Sequence, residues 1–299
     1  MRRLTRVFGR VVMYHRVVRD DCDPVLRSLF PGAITCGAFD RQLDYLARHY
    51  HVVDLDTLIA NIDRPRGMLA VTFDDGYADN LHHALPRLKA RGLPATVFAV
   101  SGLIGTSRGN WRDRLARKIV ANGRRTLTLD TGSSVHEFPY RGSLHRQMRQ
   151  ARDWLQGRAD ESIDALLGDR YRSDEDRFLD VDELRLLDKD NIRIGAHTVG
   201  HVRLSELSES AALTELRRCR SMLESMLGRA PHYLAYHFGR KDDFGVAAQN
   251  AAQRAGFRAA FAAFGGLIHA DTDRFAIPRI ATHQDISHFR LKIARKRVP

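Results

Sequence analysis

Short apolar runs alternate with segments of helical periodicity along most of the chain. The runs that predict strands are residues 10–15, 51–55, 68–74, 95–100, 192–197, 233–238, 259–264 and 275–281. Apolar residues at helical spacing predict helices over residues 38–49, 80–92 and 209–228, the last of which ends at Gly228. This alternation is typical of β-α units around a parallel sheet or barrel, so we expect an α/β fold.

The alternation stops between about residues 104 and 189. This stretch contains a hairpin-like segment, residues 126–138, among charged segments of helical character. We therefore expect a single domain, residues 1–299, with a mostly helical insertion at about 104–189. Inserted segments on the loop side of such a fold often cover or shape a site.

Several polar and titratable residues stand at the ends of the predicted strands. In parallel α/β folds the carboxyl ends of the strands lie on one face, where active sites form. The residues at these ends are His15, Asp74, Asp75, Ser101, His197 and His237. Asp74 and Asp75 are adjacent like charges, followed by Gly76, and their placement needs a chemical reason.

A shared metal ion is the strongest candidate reason. His197 and His201 stand four residues apart directly after a strand, and on one helical turn both imidazoles would face the same cation. A zinc-like ion with two imidazoles and one carboxylate keeps an open position for water, as catalytic sites require. One aspartate of the pair would then bind the metal, and the other would be free to act as a general base.

The segments "TFDDGY", residues 72–77, and "HTVGH", residues 197–201, together resemble the polysaccharide deacetylase family, also called NodB-type deacetylases or carbohydrate esterase family four. The stretches "MYHRV", "GNWRDRL", "LAYHFGRKDDF" and "FAIPRI" occur in the order expected for that family. The resemblance implies a distorted (β/α) barrel. It also implies a divalent metal, usually Zn²⁺, and the hydrolytic removal of N- or O-acetyl groups from sugars.

The resemblance also implies roles for individual residues. Asp75, His197 and His201 match the metal ligands of the family, and Asp74 matches its catalytic base. The backbone N–H near Tyr77 matches the second donor to the oxyanion. Gly76 would allow the backbone to approach the ligand closely.

The chain departs from the family pattern at the residue that orients the base. Many members have an Arg-Pro-Pro-Tyr type segment whose arginine holds the base, whereas residues 235–240 here read "AYHFGR". His237 stands where a proline is common, and we group it with Tyr77 as a candidate for substrate or oxyanion contact. We expect Arg279, in the late segment "IPRI", to orient Asp74 instead.

A second departure concerns the general acid. The late Leu-x-His-Asp segment of the family, which supplies a histidine to protonate the departing amine, is absent from the sequence. The candidates to replace it are His15, His237, His269 and His283. We favour His15, because it ends the first strand and therefore faces the same side of the barrel as the other site residues.

The predicted function is a metal-dependent hydrolase that removes an acetyl group from an amino sugar. The substrate would be a polysaccharide or its lipid- or nucleotide-linked precursor. One alternative is a deformylase or amidohydrolase that acts on a small, non-polymeric sugar or amide, and a pocket closed by the insertion would favour it. Another is a non-catalytic glycan-binding relative, against which the intact Asp74 argues.

Charge and cysteine content refine the expected partners and location. The net charge of +12 favours anionic partners, but no nucleic-acid-binding motif accompanies it. The basic ends are candidates for contact with anionic lipid headgroups: Arg2, Arg3, Arg6, Arg10, Lys292, Arg295, Lys296 and Arg297. Three scattered cysteines and an N-terminal apolar run too short for a signal peptide predict a cytoplasmic protein, with contact to the inner membrane face as an option. The oligomeric state stays open.

Overall fold

The computed structural model describes residues 8–30, 32–106, 109–156, 158, 160–168, 176–190 and 192–294. Of the predicted membrane-contact residues, Arg2, Arg3, Arg6, Arg295, Lys296 and Arg297 lie outside the described residues. Within the described part, none of the helices combines the length and the apolar character needed to span a bilayer.

Thirteen strands are present in the described chain. In chain order, β1 to β13 are Arg10–Tyr14, Val17–Val18, Ile34–Thr35, His51–Val52, Met68–Asp75, Ala95–Ala99, Leu127–Asp130, Val135–Phe138, Ile192–Ala196, Tyr233–Ala235, Ala259–Ala262, Ile277–Pro278 and Ile280–Ala281. Nine of them form one parallel sheet in the order β12-β11-β10-β9-β6-β5-β1-β13, with β4 paired to the start of β5. The predicted α/β barrel is confirmed.

The last two strands connect the two edges of this sheet. Strand β12 pairs with β11, and β13 pairs with β1 at the opposite end of the strand order. Only Arg279 separates β12 from β13. This short segment therefore closes the barrel and fixes Arg279 inside it.

Eleven α-helices accompany the strands in the described chain. In chain order, α1 to α11 are Pro24–Leu29, Cys36–His49, Leu55–Ala60, Leu85–Lys89, Trp111–Asn122, Leu144–Leu155, Asp160–Leu167, Val181–Lys189, Glu209–Leu227, Lys241–Arg254 and Ile286–Ala294. Side-chain caps mark several starts, among them Thr35 for α2 and Ser208 for α9. Helix α9 ends at Gly228, whose left-handed φ of 76° suits a glycine terminator.

Several predicted elements differ from the structure in length or type. The strand predicted over 233–238 covers only Tyr233–Ala235, and the one predicted over 275–281 is divided at Arg279. The strand predicted over 51–55 has only two residues, because Asp54 caps α3 and turns the chain into a helix. The helix predicted over 80–92 begins as a wider π-helical turn, Asn80–Ala84, and α-helical geometry follows only over Leu85–Lys89.

The region 104–189 builds a second layer with its own apolar core. Helices α5, α6 and α7 and the antiparallel hairpin β7-β8 bury side chains such as Leu115, Leu129 and Leu155 together with Phe30 beside α1. Helix α8 belongs instead to the barrel, since Leu184 and Leu187 pack in the main core. The separate layer therefore lies before α8 and covers the carboxyl ends of the barrel strands.

Candidate active site

A cavity of about 590 Å³ opens at the carboxyl ends of the barrel strands. Its floor includes Asp74 and Asp75 at the end of β5, His197 after β9 and His237 after β10. Helix α6 and the start of α5 form one wall, through residues such as Asn110 and Met148. The predicted convergence of strand ends therefore does bring these residues together.

Arg279 holds Asp74 from inside the barrel. Its Nη1 and Nη2 donate to the two carboxylate oxygens of Asp74 at 2.6 and 2.8 Å. The guanidinium is fully buried, and its Nε also donates to the Ala262 carbonyl at 3.2 Å. Such a two-point contact fixes the orientation of a carboxylate. Arg279 thus stands where the sequence analysis expected the residue that orients the base.

The chain at Asp75 has an unusual backbone conformation. Asp75 has a φ of 74°, in a region that non-glycine residues seldom occupy, and Gly76 follows with a φ of 83°. A Cβ on Gly76 would lie 3.3 Å from Ala99 Cα, so glycine allows the close approach of the two strand ends. Strained backbone of this kind concentrates at functional sites. Here it directs Asp74 and Asp75 to different neighbours.

His197 and His201 both face Asp75, and they do so from a loop that is not helical. Residues 197–201 form an irregular loop in which Thr198 and His201 have positive φ values of 68° and 56°. The helical turn assumed from the H-x3-H spacing is therefore wrong. Glu215 of α9 instead holds the loop, because its Oε1 accepts from the backbone N–H groups of Val199 and Gly200 at 2.8 and 3.0 Å.

His197 is oriented so that one ring nitrogen faces Asp75. Its Nδ1 lies 2.7 Å from the Ala235 carbonyl oxygen, which makes Nδ1 the protonated nitrogen and leaves Nε2 as an acceptor. That Nε2 lies 3.4 Å from Asp75 Oδ1, and His201 Nε2 lies 3.0 Å from the same oxygen. A backbone carbonyl on the far nitrogen is the usual support of a metal-binding histidine.

His237 completes a group of three histidines. The ligand atoms of His197, His201 and His237 lie within 4.8 Å of one another. Asp75 Oδ1, His201 Nε2 and His237 Nε2 are buried and have no hydrogen-bond partner. Buried polar atoms without partners are costly, and a cation among the three imidazoles would give His201 Nε2 and His237 Nε2 a partner. The residues therefore fit a divalent metal site of three imidazoles, with the Asp75 carboxylate beside His197 and His201.

The electrostatics of two of the three imidazoles suit a metal site. The exception is His197, whose pKa burial would lower but the carboxylates of Asp74 and Asp75 raise. Burial lowers the pKa of His201 to about 4, and burial also lowers the pKa of His237, so both rings are neutral ligands at pH 7. Burial alone would raise the pKa of Asp74, but the charge of Arg279 outweighs it and lowers that pKa. Asp74 is thus an ionised carboxylate that can accept a proton.

The other predicted site residues fall into two groups. His15 lines the cavity, whereas His269 and His283 lie outside its lining. Tyr77 is buried, and its hydroxyl accepts from Asn110 Nδ2 at 2.7 Å. Its backbone N–H has no acceptor among the described residues, as an oxyanion donor requires, although Tyr77 is not part of the cavity lining.

Comparison with known proteins identifies the family. The family model described as polysaccharide deacetylase matches residues 61–260. The chain belongs to the polysaccharide deacetylase family. This match confirms the predicted membership and the class of enzyme, a carbohydrate deacetylase. No curated protein matches the sequence.

Solved structures share the deacetylase fold. The Streptococcus pyogenes deacetylase PplD, in complex with acetate, is 17% identical with a TM-score of 0.65, over 97% of this chain and 99% of that one. A de-N-acetylase from Aggregatibacter actinomycetemcomitans is 18% identical with a TM-score of 0.64, over 95% and 99%. IcaB from Ammonifex degensii is 18% identical with a TM-score of 0.60, over 96% of each chain. At these identities the likeness establishes the fold.

One feature of this deacetylase site was not predicted from the sequence. His237 was grouped with substrate contacts, whereas its ring lies beside that of His201, with centroids 3.6 Å apart. Its position at the end of a barrel strand, like those of Asp75 and His197, was the signal that could have placed it with the candidate metal ligands.

Proposed function

We propose that this protein removes an acetyl group from an amino sugar of a polysaccharide or its precursor by metal-dependent hydrolysis. The observation that carries the proposal is the meeting of two arrangements in one cavity. Asp74 is held by Arg279, and the atoms Asp75 Oδ1, His201 Nε2 and His237 Nε2 lie beside it, buried and without partners. A site with a base beside a metal-ligand set is suited to hydrolysis.

Asp75, His197, His201 and His237 would hold the divalent metal, for which Zn²⁺ is the first candidate because of the imidazole-rich set. Such an ion, when bound, supplies Lewis acidity toward the acyl carbonyl and lowers the pKa of a water. Asp74 accepts the proton of the attacking water through an oxygen that Arg279 keeps in place. The Tyr77 backbone N–H is the proposed donor to the developing oxyanion.

His15 is the proposed general acid for the departing amine. It lines the cavity at the end of β1, with the chain at Gly32 packed against its ring. A Cβ on Gly32 would lie 2.8 Å from His15 Nδ1, so the absence of a side chain at Gly32 leaves room for the His15 imidazole. The three metal-site histidines and His15 thus line one cavity, and among these four only His15 stays outside the proposed ligand set.

Mass spectrometry on a panel of acetylated amino sugars tests the proposal. We expect a product lighter by about 42 mass units, loss of turnover with a chelator, and recovery with Zn²⁺. Loss of about 28 mass units from N-formyl sugars alone would support the deformylase alternative instead. Turnover that persists after complete removal of metal would contradict the proposal.

A further inference from the structure

Positive charge predominates among the charged residues that line the cavity. Apart from Asp74 and Asp75, the charged residues that line it in the described chain are all arginines: Arg112, Arg149, Arg152 and Arg240. The charge of Asp74 is already offset by Arg279, and that of Asp75 faces the histidines. The volume beyond the reacting centre is therefore positively charged.

Arg112 is the most unusual of these cations. Its side chain is 8% exposed, and no carboxylate among the described residues pairs with it. It donates to Gln156 Oε1 at 3.0 Å, and its guanidinium lies 4.7 Å from the ring of Trp111 and 5.7 Å from that of Phe238. A buried cation without an anion is costly, and aromatic faces offset only part of the cost. Arg112 therefore lacks a partner that a bound anion could supply.

Two further arginines at the cavity are also unpaired. Arg149 on α6 and Arg240 before α10 are exposed, and neither guanidinium has an acidic partner in the described part of the chain, although the Arg240 backbone N–H donates to Asp243. Arg203, which lies 4.6 Å from the centre of the Phe238 ring but does not line this cavity, pairs with Glu206 and Asp243. Of the four arginines that line the cavity, Arg152 pairs with Asp153 at 2.7 Å, and the other three have no ion pair in the described chain.

We infer that the substrate carries an oxyanion beside its acetylated sugar, and that Arg112, Arg149 and Arg240 bind this group. Guanidinium groups match the geometry of phosphate and carboxylate oxygens and bind them through paired N–H donors. The oxyanion is a phosphate ester in a precursor or a carboxylate in an acidic sugar. The inference rests on the proposed function and specifies its substrate class.

Three N-acetylated probes test the inference through acetate release. They are methyl N-acetylglucosaminide, which is neutral, N-acetylglucosamine 1-phosphate and N-acetylmuramic acid, which carries a carboxylate. We expect kcat/KM to be at least about tenfold higher for one anionic probe than for the neutral one, with a preference that weakens at high salt. The better anionic probe identifies the source of the oxyanion. Equal kcat/KM for all three would overturn the inference.

Substitutions of the cavity arginines test whether the oxyanion of the substrate is bound by these arginines or contacts a metal directly. Arg149→Gln and Arg240→Gln change exposed residues, so neither is expected to affect folding. Each should lower the anionic-to-neutral ratio of kcat/KM by several-fold, to about tenfold. The control is Arg146→Gln, an exposed arginine on the same helix that does not line the cavity, and it should keep the ratio. A ratio unchanged in both cavity variants would contradict the assignment.

Calorimetric binding distinguishes failure of this inference from failure of the proposed function. If no probe releases acetate, the hydrolysis proposal fails, but binding of N-acetylglucosamine 1-phosphate and N-acetylmuramic acid can still be measured. Tighter binding of either than of the neutral probe, weakened in the Arg149→Gln and Arg240→Gln variants, supports the oxyanion site. Equal binding of all three probes refutes it.

Discussion

Asp74 and Asp75 are neighbours in sequence with different surroundings. The left-handed backbone at Asp75 turns its carboxylate toward the histidines, while Asp74 faces Arg279 inside the barrel. Arg279 is 205 residues away in sequence, so only the closing segment of the barrel brings it to Asp74. The different surroundings of the two carboxylates therefore depend on this one long-range contact.

Replacing Arg279 with glutamine should impair both stability and activity. The buried Asp74 would lose its charged partner, at a cost of about 3–5 kcal/mol in the free energy of unfolding. We expect kcat/KM to fall by about 10² or more as the base loses its orientation. Arg279→Lys keeps the charge without the two-point contact and should recover part of both. Melting curves and acetate release check this, and full activity in Arg279→Gln would contradict it.

Metal binding should depend on His237. Its Nε2 is buried without a partner beside His201, so His237→Ala removes a ligand and should weaken the metal affinity by about tenfold or more. Competition with a chromophoric chelator measures the affinity independently of turnover. His269→Ala removes a partly buried histidine away from the cavity and should leave the affinity unchanged. Equal affinities in the two variants would exclude His237 from the ligand set.

Gly32 and Gly92 offer a matched test of His15. Both have left-handed φ values, 59° and 60°, so alanine at either should cost about 1–2 kcal/mol of stability. Only at Gly32 would the new Cβ collide with His15, since Gly92 has no atom within 4 Å. We expect Gly32→Ala to lower kcat by about tenfold relative to Gly92→Ala. The same kcat in both variants would argue against a role for His15.

Among the secondary-structure elements, the barrel strands were the easiest to predict from the sequence. The barrel strands are short and buried, so continuous apolar runs predicted several of them closely, as at residues 95–100 and 192–197. The runs 51–55 and 233–238 contain strands of only two and three residues. Helix α10 was missed because Gly245, with a φ of 69°, breaks its helical geometry and its alanines give a weak periodic signal. The irregular loop at His201 was also unpredictable, since Glu215 on a later helix determines its shape.

The start of α8 provides a test of pH dependence. Arg177 forms ion pairs with Glu183 at 2.6 Å, and these contacts lower the pKa of that carboxyl from 4.5 to about 2. Because the folded pKa lies below the unfolded one, the stabilisation is present above about pH 4.5 and disappears as the pH falls toward 2.

Glu183→Gln should therefore lower the free energy of unfolding by about 1–2 kcal/mol at pH 7, and by progressively less at acid pH. Urea unfolding of both proteins between pH 3 and 7 measures the difference. Asp182→Asn, an exposed neighbour on the same turn, should have little effect at any pH. A constant difference between Glu183→Gln and the native protein across this range would contradict the assignment.

At the scale of the molecule, a buried cluster joins the barrel to the inserted layer. Arg16, next to His15, pairs with Asp79 at 2.9 Å, Asp113 at 3.2 Å and Asp176 at 2.7 Å. Its partners come from the barrel, from α5 and from the segment before α8. This cluster could not be predicted from local pattern, because its aspartates lie 63, 97 and 160 residues from Arg16.

The metal-site motifs, in contrast, were visible in the sequence because their members lie within short segments. Asp74 and Asp75 are adjacent, and His197 and His201 share one loop. The contact of Arg279 with Asp74 was expected, but the position of His237 beside His201 and the surroundings of Arg112 needed the folded chain. The candidate residues of the centre could thus be named from the sequence, whereas most contacts between distant segments could not.

The most direct test of the account measures bound metal and acetate release together in Asp74→Asn and Asp75→Asn. Asp74→Asn should retain bound metal and lose turnover by about 10² to 10⁴, because only the base is removed. Asp75→Asn should lose both, because a ligand is removed. Turnover near the native level in Asp74→Asn with metal still bound would contradict the assigned division of roles.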